Sequence, residues 1–283
     1  MKFMQNPPLV SVIITTYNRE HFLERAIISV SKQDYSNIEL IISDDCSNYD
    51  VEKQVTSLCS KLKIKMSYRR NNCNRGACYT RNEAIKMAGG YFIAGLDDDD
   101  EFEPNRISYL VENYDEQYSF IASNTTVVTS NARFPLFKSS DDKVVLLSDY
   151  MWENIVGTQC LVRKDRIIDC GGFDVNLSSA QDADMWFRLI ERYGPALRLG
   201  KSSYLLHVEH EEDRISTSKN KLKGLIAYNS KHLSKMSPSQ VSYAKFKIKL
   251  WENNRRVSFN AFKELDFGAC LFLLKKIIVK MGL

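Results

Sequence analysis

Residues 9–16 read Leu-Val-Ser-Val-Ile-Ile-Thr-Thr, a β-branched run that is too continuous for a strand with one face in water. Such a run is typical of a central strand in a sheet that is covered on both faces. Asn18 then offers an N-cap for a helix, because apolar residues recur at helical spacing over 22–30. The next apolar run, over 38–45, ends in two aspartates. The three segments together predict a βαβ unit with parallel strands.

The same alternation continues along most of the chain. Further elements are predicted over 51–62 (helix), 63–69 (strand), 77–88 (helix), 91–96 (strand), 104–114 (helix) and 181–193 (helix), with mixed short strands through residue 162. Alternation of this kind favours an α/β fold, in which a Rossmann-like and mainly parallel sheet is flanked by helices. Ligands of such sheets gather at the carboxyl ends of the strands.

Four adjacent aspartates, Asp97 to Asp100, follow the predicted strand 91–96 directly. A solvated turn would tolerate their mutual repulsion, and that interpretation stays open. If the strand alternation continues, however, Asp97 and Asp99 point the same way and could share a ligand. Carboxylate oxygens suit Mg²⁺ or Mn²⁺, which bind through one or two carboxylates together with substrate phosphates. We therefore predict a divalent metal ion on a diphosphate.

Two common classes of phosphate-binding enzyme are disfavoured by what the sequence lacks. There is no Gly-x-x-x-x-Gly-Lys-Ser segment, and no Gly-x-Gly-x-x-Gly follows the first strand. A P-loop enzyme and a dinucleotide-dependent dehydrogenase are therefore not expected. A bound phosphate must instead be held by the metal ion and by scattered basic side chains.

The charge of the chain is nearly balanced, with 39 Lys and Arg against 35 Asp and Glu and a formal net charge of +4. This balance argues against nucleic acid as a partner, because nucleic-acid-binding proteins usually show a strong basic excess. The excess lies in the last 65 residues, which carry fourteen Lys or Arg and end in an apolar segment. This composition favours peripheral contact with an anionic membrane. A terminal helix packed on the protein, with its lysines in water, is the alternative.

The cysteines and the N-terminus indicate a compartment. Seven cysteines occur at irregular spacing without a Cys-x-x-Cys pair, which favours neither a disulfide framework nor a zinc site. The N-terminus lacks the apolar core of a signal peptide, and no run approaches the roughly 18 apolar residues of a spanning helix. We expect a reduced, cytoplasmic protein.

Five motifs, in this order, resemble the family 2 glycosyltransferases with the GT-A fold. They are Val10-Ser-Val-Ile-Ile-Thr-Thr-Tyr-Asn-Arg19, Ile41-Ile-Ser-Asp-Asp-Cys-Ser47, Asn74-Arg-Gly-Ala-Cys-Tyr-Thr-Arg-Asn-Glu-Ala84, Gly95-Leu-Asp-Asp-Asp-Asp-Glu-Phe-Glu-Pro104 and Gln181-Asp-Ala-Asp-Met-Trp-Phe-Arg-Leu189. The resemblance covers roughly residues 8 to 215. It implies a GT-A domain over 1–218, with a nucleotide-sugar half at about 8–118 and an acceptor half at about 119–218. A basic helical extension would follow over 219–283.

The resemblance also implies a role for individual residues. Those that match the family's donor-binding positions are Thr15, Tyr17, Asn18, Arg19, Asp45, Arg81, Asp97 and Asp98. Within that set Thr15, Tyr17 and Asp45 would hold the base, usually uracil, and Asp97 would lie near the ribose. Asp182 matches the catalytic base. The sequence departs from the commonest pattern at the preceding position, where Gln181 replaces a glutamate, and no role is assigned to Gln181.

The metal position of the family's Asp-x-Asp motif matches Asp99. His210 is the favoured second ligand, and Asp97 and His207 are less favoured ones. A purely structural role stays open for both histidines. Trp152 could stack on a sugar, whereas Trp186 and Cys160 are expected to pack in the core.

The function implied is an inverting, metal-dependent transfer of a sugar from a UDP-sugar to a hydroxyl of a saccharide acceptor, with Mn²⁺ or Mg²⁺ as cofactor. Bacterial members of similar size mostly extend cell-surface polysaccharides on lipid-linked acceptors at the inner face of the cell membrane, so a lipid-linked acceptor and that location are expected. A glycoside hydrolase and a nucleotidyltransferase are the enzymatic rivals. A sugar-nucleotide-binding adaptor at the membrane is the non-enzymatic one.

Overall fold

The structure, a computed structural model, describes residues 6–208, 218–253, 256 and 259–281. The strands are β1 (Val10–Thr16), β2 (Ile38–Asp44), β3 (Met66–Arg70), β4 (Phe92–Asp97), β5 (Glu101–Phe102), β6 (Ile121–Val128), β7 (Arg133–Pro135), β8 (Lys143–Val145), β9 (Leu161–Arg163) and β10 (Ala196–His207). The helices are α1 (Glu20–Ser31), α2 (Val51–Leu62), α3 (Ala77–Met87), α4 (Arg106–Glu112), α5 (Leu147–Tyr150), α6 (Lys164–Asp169), α7 (Gln181–Tyr193), α8 (Ser218–His232), α9 (Pro238–Glu252), α10 (Phe259–Phe262) and α11 (Phe267–Met281).

All ten strands belong to one sheet, in the order β3-β2-β1-β4-β9-β6-β10-β5, with β7 added to β6 and β8 added to β10. Strands β3, β2, β1 and β4 run parallel to one another, as do β6 and β10. Every antiparallel pair includes a strand that begins at or beyond residue 101. The predicted α/β fold, a mainly parallel sheet flanked by helices, is confirmed.

Strand β1 lies inside the sheet with a core on each side. Val10, Val12 and Ile14 pack with α1 and α2 on one side, and Ile13 packs with α3 and α7 on the other. All four side chains are buried. The prediction of a central strand covered on both faces is therefore confirmed, and the carboxyl end of β1 opens at the middle of the sheet edge.

Two local predictions are wrong in an instructive way. Asn18 is not the N-cap of α1, because its backbone is left-handed (φ 55°) and its side chain accepts a hydrogen bond from the backbone N–H of Asn48. The helix begins at Glu20, and the residue before it makes no side-chain cap. Strand β3 starts at Met66 rather than at Lys63, because Lys63 adopts a left-handed conformation that ends α2.

The residues after 218 form helices that contact the preceding part of the chain. From α8, Tyr228 joins the core that contains Trp186 and Phe187 of α7. Helices α9, α10 and α11 share a third core around Tyr243, Phe246, Ala261 and Ala269, against which Trp152 packs. The boundary at residue 218 stays a prediction. Within the described ranges, no helix is both long enough and apolar enough to cross a membrane.

Candidate functional site

A cleft of about 430 Å³ opens at the carboxyl ends of β1 and β2. The residues that line it come from the ends of β1, β2 and β4, the start of α3 and the segment before α7: Thr15, Thr16, Tyr17, Arg19, Asp45, Asn74, Arg75, Gly76, Ala77, Cys78, Thr80, Asp98, Val175, Asn176, Leu177, Ser178 and Gln181. The cleft thus collects side chains from four of the five sequence motifs and from the start of the fifth. Tyr17 is 46% exposed at its edge.

Five of the eight predicted donor-binding residues line this cleft, namely Thr15, Tyr17, Arg19, Asp45 and Asp98. Arg81 and Asp97 lie beside it in a cluster with Asp182. Asn18 does not line it, because its backbone N–H donates to the Ser47 hydroxyl at 2.9 Å and its side chain turns to Asn48. Asn18 therefore shapes the turn after β1.

Asp45 is buried and already accepts three hydrogen bonds from the loop before α3. Its Oδ1 accepts from the Asn71 side chain at 2.7 Å and from the Arg75 N–H at 2.8 Å, and its Oδ2 accepts from the Gly76 N–H at 2.7 Å. A carboxylate offers about four lone-pair sites, so one further bond to a ligand N–H is available. Asp45 thus holds the 71–76 loop as one wall of the cleft.

The acidic run consists of three partly exposed residues, Asp97 to Asp99, and one buried residue, Asp100. Strand β4 ends at Asp97, Asp98 and Asp99 form a turn, and the Asp100 N–H closes it on the Asp97 carbonyl at 3.1 Å. The prediction that strand alternation orients Asp97 and Asp99 alike is therefore wrong. Asp100 is buried and accepts from the Tyr204 hydroxyl at 2.8 Å and from the His207 N–H at 2.9 Å. Its role is to anchor the turn on β10.

The Arg81 guanidinium links the acidic run to α7. It lies 3.3 Å from Asp97 Oδ1 and 3.5 Å from Asp182 Oδ1, and it stacks on the Phe173 ring at 4.8 Å. The side chains of Asp97 and Asp182 are 30% and 26% exposed, so both carboxylates can still meet a ligand. Arg81 thus contacts a carboxylate that lies 101 residues further along the chain and brings α7 next to the acidic run.

Burial changes the acidity of the carboxyl groups at this edge of the sheet. It raises the pKa of Asp97 to about 7 although Arg81 opposes the shift, and it raises the pKa of Asp98 to about 7. Burial also raises the pKa of Asp182, and Arg81 again opposes the shift. Perturbed carboxyl groups that cluster beside a cleft are typical of a functional site.

The metal prediction has a mixed outcome. Within the described residues, no three His, Cys, Asp or Glu side chains are grouped so that they could hold an ion. Asp99 is paired with Arg19 at 3.5 Å, and its backbone carbonyl accepts a hydrogen bond from Arg25. The hard carboxylate oxygens of Asp97 and Asp99 still fit Mg²⁺ or Mn²⁺ that is bound mainly through the phosphates of a ligand.

Of the two candidate histidines, the structure describes His207. His207 ends β10, is buried, and has its Nε2 2.8 Å from Glu101 Oε1. It lies beside the acidic run but holds Glu101 and Asp100. His210 lies outside the described residues, so its role as a metal ligand stays a prediction.

Trp186 and Cys160 are buried, and Trp152 is partly buried. Trp186 is buried in the core beside Phe120 and Phe173, and Cys160 is buried in the same core, as expected. Trp152 stacks on Phe272 of α11, with ring centroids 4.2 Å apart. The face of Trp152 that a sugar could have used is thus occupied by α11.

Sequence reasoning missed Gln159 and Arg106. The Gln159 side chain donates to Asp97 Oδ1 at 2.8 Å, and its backbone carbonyl accepts from buried Arg106 at 2.9 Å. Gly95 makes room for this contact, because a Cβ at Gly95 would lie 1.9 Å from Gln159 Oε1. A glycine within the β4 run was the signal that could have pointed to a close neighbour.

Comparison with known proteins gives a consistent answer. The family model described as "Glycosyl transferase family 2" matches residues 11–159. The glycosyl transferase WcaA of Escherichia coli (strain K12), whose name assigns it provisionally to colanic acid biosynthesis, is 34% identical over 261 residues, which cover 89% of this chain and 91% of WcaA. The GalNAc(5)-diNAcBac-PP-undecaprenol beta-1,3-glucosyltransferase of Campylobacter jejuni is 28% identical over 64% of this chain and 60% of its own.

The fold also matches solved structures. The crystal structure of S. aureus TarS 1-349 in complex with UDP-GlcNAc superposes with a TM-score of 0.60, at 20% sequence identity, over 88% of this chain and 68% of that chain. Identity at this level supports the fold alone. The predicted GT-A architecture agrees with this match.

Proposed function

The chain belongs to glycosyl transferase family 2 and is a glycosyltransferase, and we propose that it moves a sugar from a UDP-sugar to a hydroxyl of a lipid-linked saccharide, with inversion, in bacterial surface polysaccharide synthesis. The observation that carries the proposal is the Arg81 bridge between Asp97 and Asp182. It brings the proposed base next to the acidic run at the end of the nucleotide cleft.

The donor half of the proposal rests on the cleft. Its floor is formed by β1 and β2, and Asp45 has one acceptor site left for the ring N–H of a uracil. Tyr17 lies exposed at the edge, where its ring could cover the base. That the TarS structure contains UDP-GlcNAc adds support for a uridine donor.

The chemistry follows from what Asp182 can do. An acceptor hydroxyl is a weak nucleophile near neutral pH, and a carboxylate that takes its proton during attack on the anomeric carbon contributes roughly 10²–10⁴-fold in rate. Attack from the face opposite to the leaving diphosphate inverts the anomeric centre. Arg81 opposes the rise in the pKa of Asp182 that burial causes, and it lies 3.5 Å from the Asp182 carboxylate, where it can orient it.

Asp99 would hold the divalent ion, with Asp97 as a further oxygen ligand and His210 as the favoured second one. When bound, Mn²⁺ or Mg²⁺ neutralises the charge that develops on the departing diphosphate. Arg19, which lies 3.5 Å from Asp99, would supply a positive charge near the phosphates.

The acceptor half of the proposal rests on relatives and on composition. The Campylobacter relative is named for an undecaprenol-linked saccharide. The 219–283 region of this chain is rich in Lys and Arg. We propose that the protein works on the cytoplasmic side of the cell membrane as a peripheral protein.

Helix α11 is the segment that we propose to meet the membrane, because it is apolar on two faces. One face packs through Ala269, Phe272 and Leu273 against α9 and Trp152. The other exposes an apolar stripe at Phe267, Leu271, Leu274 and Ile278. Phe267 is 85% exposed, and the stripe repeats at 4, 3 and 4 residues, which is helical spacing. An apolar stripe in a basic region fits an anionic lipid surface.

Vesicle sedimentation tests this contact. The wild-type protein should pellet with vesicles that contain phosphatidylglycerol and stay in solution with pure phosphatidylcholine. The double variant Phe267→Glu, Leu274→Glu should lose binding, whereas Ile226→Glu, an exposed apolar site on α8, should keep it. Equal binding by the double variant, or concentration-dependent dimers that the double variant abolishes, would contradict a lipid surface.

Turnover assays test the catalytic proposal. UDP release from a panel of UDP- and GDP-sugars should require a lipid-linked acceptor and Mn²⁺ or Mg²⁺. Asp182→Asn should lower kcat by about 10²–10⁴-fold while UDP binding changes little, because the amide cannot accept the proton. Release of pyrophosphate would indicate a nucleotidyltransferase, and hydrolysis of a free glycoside without nucleotide would indicate a hydrolase. Donor binding without any turnover would indicate an adaptor.

A further inference from the structure

We propose that helix α8 is a positioning element for the catalytic base, acting through a buried ion cluster that joins it to α7. The cluster consists of Asp184, Arg188, Lys231 and His232, and we call it the Asp184 cluster. The inference rests on the proposed function in one respect, since it takes Asp182 as the base. It assigns to the region after residue 218 a role in catalysis that is separate from membrane contact.

The Asp184 cluster satisfies one carboxylate with three cationic or polar donors. Asp184 has no exposed surface. Its Oδ1 lies 2.8 Å from His232 Nε2 and 2.8 Å from Lys231 Nζ, and its Oδ2 accepts from Arg188 Nε at 2.9 Å. Two of the three donors therefore come from α8, 47 and 48 residues further along the chain.

Helix α8 also holds the segment that precedes α7. Lys231 donates to Asp174 Oδ2 at 2.6 Å, and the Ser179 hydroxyl donates to the backbone carbonyl of Asn220 at 2.9 Å. Gly224 allows the close approach, because a Cβ there would lie 1.9 Å from Ser179 Oγ. Segment 174–184 is thus contacted by α8 at Asp174, Ser179 and Asp184, which covers its two ends and its middle.

Segment 174–184 contributes residues both to the cleft and to the proposed catalytic site. Residues 175–178 and Gln181 line the proposed nucleotide cleft, and Asp182 is the proposed base. Asp182 and Asp184 share the first turn of α7, so a movement of Asp184 carries Asp182 with it. A misplacement of about 1 Å can cost on the order of 10²-fold in rate.

At the start of α7 the Gln181 side chain donates to the Leu177 carbonyl at 3.0 Å, but the turn before the helix is strained. The residue before the helix, Ala180, is left-handed (φ 60°), and no side chain caps the helix. A non-glycine residue in this region is strained and persists only where the surroundings hold it. The Asp184 N–H bonds to the Ala180 carbonyl at 3.0 Å, and the Ser179 and Asp184 contacts with α8 lie on either side of it. Helix α8 therefore supports this turn, together with the Tyr150 hydroxyl, which donates to the Ala183 carbonyl, and with Arg81, which contacts Asp182.

Substitutions of His232 test the proposal. The His232 ring packs on Phe187 with ring centroids 3.8 Å apart, so His232→Phe keeps an aromatic ring there and removes the donor to Asp184. We expect kcat to fall about 10- to 100-fold, with the KM for the donor within about threefold of wild type. His232→Gln restores a nitrogen donor and should recover most of kcat. Thermal unfolding checks that each variant is folded at the assay temperature.

Two further variants keep the test decisive. Lys235→Ala removes an exposed ion pair to Glu191 at the other end of α7 and should leave kcat unchanged. Ser179→Ala removes only the bond to Asn220 and should lower kcat about 3- to 10-fold, even if His232→Phe does not fold. Wild-type kcat in folded His232→Phe, or in Ser179→Ala, would overturn the positioning role.

The variant Asp182→Asn separates this inference from the proposed function. If Asp182→Asn keeps its turnover, the base assignment is wrong whatever His232 does. If Asp182→Asn is inactive while folded His232→Phe turns over normally, the base assignment stands and the role of α8 is wrong.

Discussion

Arg81 is the residue on which the chemistry of the site most depends. Its guanidinium contacts both Asp97 and Asp182, and the acidity of the two carboxyl groups is linked through it. Burial raises the pKa of Asp182, and Arg81 opposes that rise. If Asp182 is the base, as proposed above, it works only when it is ionised, and Arg81 should then extend the activity toward lower pH.

The pH profile of kcat/KM tests this role of Arg81. Because burial raises the pKa of Asp182, the acidic limb of the profile should lie above the ordinary aspartate range near pH 4. Arg81→Met removes the positive charge and should move this limb to higher pH, whereas Arg81→Lys should largely restore it. An unchanged acidic limb in Arg81→Met would show that another group governs the profile.

Gly95 is the second residue whose substitution should change the site, because it lies against Gln159. In Gly95→Ala the new methyl group would collide with Gln159 and break its bond to Asp97. A hydrogen bond to a charged group is worth about 1.5–3 kcal/mol, so we expect donor affinity to fall roughly tenfold or more. Gln159→Ala should give a similar loss, measured by titration with UDP-sugar.

A double-mutant cycle controls for indirect effects of Gly95→Ala. Gln159→Ala removes the side chain with which the new methyl group of Gly95→Ala would collide. Adding Gly95→Ala to this variant should therefore lower the donor affinity little further. If the losses of donor affinity in the two single variants add up in the double variant, Gly95→Ala acts on the β4 backbone instead of on Gln159.

At the scale of elements, α7 and α8 are held together around the buried carboxylate of Asp184. Burial alone would raise the pKa of Asp184, but the bonds from His232, Lys231 and Arg188 outweigh it and lower the pKa to about 2. The folded-state pKa therefore lies below the unfolded value near 3.9. The resulting stability is present above pH 4 and is lost as the pH falls toward 2.

Asp184→Asn tests this contribution. The variant removes the negative charge that accepts hydrogen bonds from Arg188 and Lys231, and it should lower the free energy of unfolding by about 1.5–3 kcal/mol near neutral pH. The difference from wild type should shrink between pH 4 and pH 2, because wild-type Asp184 becomes neutral there. Asp34→Asn, at an exposed aspartate on the opposite side of the sheet, is the matched control. A difference that does not depend on pH would point to packing instead of charge.

At the scale of the whole molecule, the sheet has a parallel half and a mixed half. The parallel strands β3, β2, β1 and β4 have their carboxyl ends at the edge where the cleft opens, and β9, β6, β10 and β5 continue the sheet beyond β4. Helix α8 then returns to cover α7, and α9 to α11 cover the 147–153 segment through bonds such as Lys276 to Glu153 and Gln240 to the Ser148 carbonyl.

This arrangement predicts how the chain unfolds. Because Tyr228 and the Asp184 cluster join α8 to the core of the sheet, the full chain should unfold in a single calorimetric transition. A chain that ends at residue 217 should be markedly less stable and have low turnover. Equal stability and activity of that shorter chain would instead establish residue 218 as the boundary of an independent domain.

The sequence by itself determined the features that depend on neighbouring residues. The β-branched run of β1, the helical spacing of α7 and the acids that follow β2 and β4 are local patterns, and parallel strands bring their ends to one edge. They were enough to predict the fold class, and the resemblance of the five motifs to family 2 glycosyltransferases implied the family and the donor-binding positions Thr15, Tyr17, Asp45 and Asp98, which line one cleft.

Only the tertiary structure decided which groups meet across long stretches of chain. It turned Asp100 inward onto Tyr204, placed Gln159 against Asp97, covered Trp152 with Phe272 and joined His232 to Asp184. Such contacts depend on how whole elements pack. The periodicity of a sequence segment does not show which side chain of a distant segment it will contact. The Asp184 cluster could not be read from either helix alone, because its charges compensate one another only after α7 and α8 are packed together.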